Sequence, residues 1–268
     1  PQRKRPLRLL KSCGIEVNGM KNFTSVLMLW ARRSIWRVLA IIAVMAAAET
    51  ALFYFLALPK AGGLSLNTAI TTGLTGPACA VFFALLCVLL CLSGCDFGTR
   101  SNYTLCRLSV SRRKVFLAQA MYNFICFLIF WGVQTAIALA LCILYVRRAP
   151  ADSVGPQTIF LAFYQNGFLH GVLPLDETVR YFENAAVALT LGIACANFSK
   201  RRRVGQWGFG VPILGAVTAL YFSFAFRSDN FVIPLIVGIV AAGAALIDAL
   251  AQHGEEDDDD EDKQSSPV

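Results

Sequence analysis

The chain has 268 residues, 56% of them hydrophobic and only 15% charged, with a mean hydropathy of +0.58, whereas soluble domains carry about a quarter charged residues. So little polar surface cannot coat a water-soluble globule, which excludes an autonomous cytosolic enzyme and a disordered regulator. The net charge of +7 conceals an asymmetry: 8 of the 17 acidic residues lie in one run, Glu255 to Asp262, and elsewhere 24 basic residues face 9 acids.

Residues 1–34 read as a cytoplasmic N-terminal segment ending in an interfacial helix. From Met20 to Arg33, apolar Phe23, Val26, Leu27 and Trp30 recur at helical spacing, with Lys21, Asn22, Ser25, Arg32 and Arg33 elsewhere. That is the pattern of a helix lying at headgroup level; a simple amphipathic lead-in to the first span is the plainer alternative. Met20 is the expected natural start, and the apolar run at Ile35 is too long and too far from the terminus to be a cleavable signal.

A helix crossing a hydrocarbon core of about 30 Å needs about 20 mostly apolar residues, and about six such stretches fill residues 35–250. The first covers 35–58 and the second 77–95, joined by a linker of small residues and threonines. The third, 115–146, is long enough to tilt or to project past the bilayer. A polar, proline-containing stretch from Arg147 to Arg180 leads into the fourth span at 181–198. The fifth (207–226) and sixth (231–250) flank a turn of Arg227, Ser228, Asp229 and Asn230, and 251–268 is an acidic tail expected to be solvated and disordered. The apolar runs do not alternate as barrel strands do, and an open sheet would leave backbone groups unpaired in lipid. The expected fold class is an all-α integral membrane protein of about six transmembrane helices.

Cytoplasmic loops are enriched in Lys and Arg. Nine basic residues lie at or before the mouth of the first span, five between spans two and three, and four after span four, so that 18 of 24 fall on one side. The opposite side holds five: Lys60, Arg147, Arg148, Arg180 and Arg227. Both termini are therefore expected in the cytoplasm, with the chain a multi-pass protein of the plasma membrane.

Ionisable and amide groups inside spans are costly to bury, which makes each a functional candidate. Glu49, in AVMAAAETALFYF near the middle of the first span, has small neighbours that permit close helix approach. It either lines a polar pathway or senses protonation, or it makes a structural hydrogen bond to Asn123 or Gln134 of the third span. Asn123, Gln134 and Asn197 read individually as interhelical glue. Cys87, Cys91 and Cys95 share one helix face, but a single helix cannot enclose an ion, so they read as small packing residues. None of the 9 cysteines lies in the large outer segment, so no disulfide framework is expected. Within that segment Phe160, Phe163, Tyr164 and Phe168 approximate one helical face, suited to resting on the outer leaflet or capping an exit. His170 there reads as a surface residue.

No phosphate-cradling G-x-x-x-x-G-K-[ST] loop, His-Glu-x-x-His motif or Gly-x-Ser-x-Gly elbow is present. No catalytic residues and no metal site are expected, and the chain reads as a non-enzymatic subunit.

The loop from Asp96 to Lys114, DFGTRSNYTLCRLSVSRRK, runs into VFLAQAMYNF of span three. With Gly98-Thr99, Leu105 and Leu108-Ser109-Val110-Ser111-Arg112-Arg113, it resembles the first cytoplasmic loop of type 2 ABC exporter permeases. Ser109 stands where that family commonly has Pro. The resemblance implies a coupling helix over about Tyr103 to Arg113 that docks on a separate ATPase subunit. Tyr103, Leu105, Arg107, Leu108, Ser111, Arg112 and Arg113 would form that contact. It further implies a second permease subunit, in a homo- or heterodimer, with ATP and Mg bound by the partner ATPase. Membrane lipid surrounds the assembly, and nucleic acid is not a partner. The expected function is then the permease subunit of an ATP-driven exporter of amphipathic compounds: lipids, peptides or drug-like molecules. The alternatives are a non-transporting scaffold or regulatory subunit, and an ion-coupled secondary transporter using Glu49. For the five basic residues of the loop, the plainer alternative is that they only fix topology beside anionic lipid.

A dual fluorescent-protein and alkaline-phosphatase reporter appended after Val268 is expected to fluoresce without phosphatase activity, and one inserted between residues 150 and 156 to do the reverse. The opposite pattern would invert the topology drawn from the Lys/Arg count.

Overall fold

The computed structural model describes residues 5–60, 63–94, 112–150, 155–175 and 178–203, and every regular element among them is helical. Helix α1 (Arg5–Leu52) continues through a π-helical turn (Phe53–Ala57) and a 3-10 turn (Leu58–Lys60). There follow α2 (Leu66–Thr72), α3 (Thr75–Gly94), α4 (Arg112–Arg148), α5 (Thr158–Gln165), α6 (Gly167–Val172) and α7 (Thr178–Arg203). Three stretches are long and apolar enough to cross a membrane: Ser34–Lys60, Thr75–Ser93 and Lys114–Arg148. They coincide with the first three expected spans. The expected fourth, 181–198, falls within α7, whose apolar run is diluted by Asn184 and Asn197 and which is not one of the three. The expected fifth and sixth spans, the acidic tail and residues 103–111 of the coupling loop lie outside the described residues.

The N-terminal segment differs from the sequence expectation. Helix α1 runs unbroken for 48 residues, about 72 Å at 1.5 Å per residue, with no boundary near residue 34. No Pro or Gly occurs between Met20 and Leu58 to interrupt it. The face assigned to lipid headgroups is also turned inward. Val26 and Trp30 are buried in the same core as Val38, Ile42 and Met45, and it is Met28 that stands 74% exposed. Ser34, at the former boundary, is buried, with its hydroxyl 2.6 Å from the Tyr122 phenol of α4 and 3.0 Å from the Trp30 carbonyl.

The end of this long helix has a local cause. Pro59 has no amide hydrogen and cannot donate to the carbonyl four residues earlier. Just before it the ladder widens, with the Leu58 amide reaching back five residues to the Phe53 carbonyl.

Long helices α1, α3, α4 and α7 make the bundle, with α4 packed most extensively on α7 and then on α1. On α1 the buried stripe runs Val26, Trp30, Val38, Ile42, Met45, Glu49 and Phe53, the three-and-four spacing of one helical face. Helix α3 shows the converse on its outward side: Val81, Leu85, Val88 and Leu92 are apolar and exposed. A helix apolar all round suits hydrocarbon rather than water. A second core lies at the end of the bundle that bears Lys60 and Arg148. There α2, α5 and α6 fold over the end of α4, burying Leu66, Ile70, Phe163 and Leu169 against Leu141 and Tyr145. The Tyr145 phenol bonds the Leu64 carbonyl, and Asn166 Nδ2 donates to Asn67 Oδ1 at 2.7 Å. Asn166 also accepts from the Leu169 amide at 3.2 Å, capping the start of α6. The four aromatics do not share a face: Phe163 turns inward within α5 itself, and Phe168 lies in the new helix. Phe160 and Tyr164 are exposed, Phe163 is buried, and Phe168 packs over Gly76.

The α4–α7 contact depends on one glycine. A Cβ at Gly192 would stand 3.0 Å from the Ala120 carbonyl oxygen and 3.0 Å from the Phe124 amide nitrogen. These are backbone atoms that cannot rotate aside. Gly192→Ala is expected to cost about 1–3 kcal/mol through overpacking, read as a lower unfolding temperature in detergent. Gly132→Ala, where a Cβ meets nothing within 4 Å, should leave it unchanged or higher.

Candidate functional site

Glu49 is completely buried, on the inward stripe of α1. From α4, Gln134, 2% exposed, donates Nε2–H to Glu49 Oε2 at 3.0 Å. The remaining acceptors, Glu49 Oε1 and Gln134 Oε1, are both buried without a hydrogen-bond partner among the described residues. Of the two partners weighed for Glu49 from sequence, the structure thus brings Gln134 to it. Asn123 instead donates to the Gly192 carbonyl of α7 at 3.3 Å, tying α4 to α7. Ser199 reaches the Cys91 carbonyl at 3.1 Å and ties α7 to α3. Three helix pairs, α1–α4, α4–α7 and α7–α3, are thus each tied by a side-chain bond, as expected where lipid offers no competing partner.

Gln134 also lines a cavity of about 40 Å³ between α3, α4, α6 and α7. Cys79, Phe83, Phe127 and Phe130 form much of its wall, and Asn184 of α7 and Trp131 of α4 stand at its margin. That volume accommodates about two or three waters. Helix α6 is pinned over it by two side chains that satisfy carbonyls of its last turn. Trp131 Nε1 donates to the Val172 carbonyl at 2.8 Å, and Asn184 Nδ2 donates to the Gly171 carbonyl at 3.0 Å. The Trp131 ring further packs against Tyr181, with centroids 6.2 Å apart.

The sequence did not single out Trp131, Asn184 or Cys79. A signal existed for the first two, since an indole N–H or a carboxamide within an apolar helix requires a partner. It pointed to no partner because α6 was not foreseen.

Among the coupling-loop residues, Arg112 and Arg113 open α4, while Tyr103, Leu105, Arg107, Leu108 and Ser111 lie outside the described residues. Cys87 and Cys91 are buried in the core beside Cys195 of α7. The described cysteines 79, 87, 91, 126, 142 and 195 are all free, and no cluster among the described residues is arranged to hold a metal ion. His170 is half-buried, edge-on to Tyr164 with ring centroids 6.4 Å apart.

No family model, characterised protein or solved structure matches this chain.

Trp131→Phe keeps the ring and removes the donor, stranding the Val172 carbonyl. Amide hydrogen exchange over residues 167–173 is expected to accelerate severalfold, with overall stability lowered by about 1 kcal/mol. Unchanged exchange there would mean that the indole bond does not hold α6.

Proposed function

We propose that this chain is the membrane-embedded permease subunit of an ATP-driven exporter of the type 2 ABC kind, working with a separate ATPase and a second permease subunit. The observation that carries the reading is where the basic residues that end the loop fall in the bundle. Arg112 and Arg113 are the first residues of α4, the helix that packs extensively on α7 and α1 and also touches α3. Displacement of the loop by a nucleotide-driven partner would be delivered to the element touching every other long helix, which is what a coupling contact requires.

In this reading α7 supplies the fourth span, 207–226 and 231–250 the fifth and sixth, and both termini face the cytoplasm of a cell with this protein in its plasma membrane. The polar residues of α7 are compatible with a span because they have partners inside the bundle: Asn184 on Gly171 and Ser199 on Cys91. The transported molecule is amphipathic and passes between two subunits. A cavity of about 40 Å³ falls far below the roughly 300–1,000 Å³ of a pocket that holds a drug-sized compound.

Purification from native membranes is expected to bring down an ATPase chain that carries a phosphate-binding loop. Arg112→Glu with Arg113→Glu should lower substrate-stimulated ATP hydrolysis at least tenfold at unchanged protein level and unfolding temperature. The absence of any such ATPase, together with transport undiminished in the double variant, would overturn the proposal.

A further inference from the structure

The buried pair at Glu49 has an incomplete hydrogen-bond account. One bond joins the two side chains, from Gln134 Nε2 to Glu49 Oε2, and the other oxygen of each is buried and unpartnered. Two acceptors facing an apolar interior with no donor between them are costly. A carboxylate there would be costlier still, because no described residue offsets its charge.

Among the described residues, the surroundings supply no counter-charge. On α1 itself, the adjacent Thr50 is exposed and spends its hydroxyl on the Ala46 carbonyl. On α3, Cys79 is the titratable side chain within electrostatic range of Glu49. On α4 the facing group is the neutral Gln134 carboxamide, and Phe53 of the π-helical turn is apolar and buried. No Lys, Arg or His among the described residues pairs with Glu49.

We propose that Glu49 is a proton-binding site, and that its protonated carboxyl and Gln134 close a reciprocal pair of hydrogen bonds that clasps α1 to α4. One proton resolves the whole account. Bound to Oε1, it makes that oxygen a donor to Gln134 Oε1 while Nε2–H continues to donate to Oε2, and a carboxylic acid and a primary amide have the matching donor and acceptor on each side. Proton release returns the carboxyl to an anion, leaves both Oε1 atoms without a donor and loosens the clasp. The proposal does not depend on the exporter reading, since it concerns the bundle with or without an ATPase.

Infrared spectroscopy of the full chain in lipid nanodiscs tests it, titrated from neutral to alkaline pH. The expected result is a carboxylic-acid C=O band at neutral pH that shifts when glutamate is carboxyl-labelled with carbon-13, disappears at high pH and is missing from E49Q. The amide of Glu49→Gln can still pair reciprocally with Gln134. Its unfolding temperature should therefore stay within a few degrees of the native value at neutral pH and lose the fall that native protein shows as the band vanishes. In Q134L the band should move to the frequency of a free carboxyl. A native spectrum at neutral pH with no glutamate acid band overturns the proposal without requiring any variant to fold. A band retained in E49Q overturns it as well, and a band unmoved in Q134L overturns the clasp.

Discussion

Gln134 stands near the middle of α4, and its carboxamide is the group that Glu49 of α1 meets inside the bundle. A hydrocarbon surrounding gives neither side chain another choice, since every polar group carried inward must find its partner on a neighbouring helix or go without. The same constraint recurs along the structure. It joins Ser34 to Tyr122 between α1 and α4, Asn123 to the Gly192 carbonyl between α4 and α7, and Ser199 to the Cys91 carbonyl between α7 and α3. Apolar packing alone would allow these helices to slide past one another, because lipid tails are as apolar as Leu or Val. Polar bonds at separate levels fix their register.

Helix α4 is the common member of most of these bonds. At one end it begins directly at Arg112, and at the other it carries the second core in which Tyr145 and Leu141 hold the short helices. Between the two ends lie the Glu49 contact, the cavity wall and the close backbone approach at Gly192. A motion applied at one end would have to repack the α1 and α7 contacts together, and the packing beside Gln134 leaves a small cavity.

Much of this was legible in the residues, and for identifiable reasons. Three apolar stretches are long enough to cross a membrane wherever their side chains point, so composition alone located them. Glu49 announced itself as an acid in an alanine-rich apolar run, and its place in the three-and-four spacing of Val38, Ile42 and Met45 puts it on the inward stripe. For the N-terminal stretch, amphipathic spacing tells that one face is apolar and not what covers it; Val26 and Trp30 face protein, as in the plainer alternative of a lead-in to the first span. The outer aromatics do not form one face because Phe163 turns into the second core within α5, and Asn166 caps a new helix before Phe168. The cavity could not be foreseen at all, since four elements distant in sequence contribute its wall. The coupling-loop resemblance rests on residues mostly beyond those described.

The wide turn at Phe53–Ala57 has a consequence for how this chain can vary in length. A single π-helical turn is the form a helix takes when it accommodates one extra residue without disturbing the phase of the turns before it. Here the accommodation falls four residues after Glu49, next to Pro59. Insertions and deletions at this edge can be taken up as changes in winding, while the same change upstream of Glu49 would rotate the acid by about 100° away from α4. A change of length is thereby tolerated better at the rim of the bundle than in its interior.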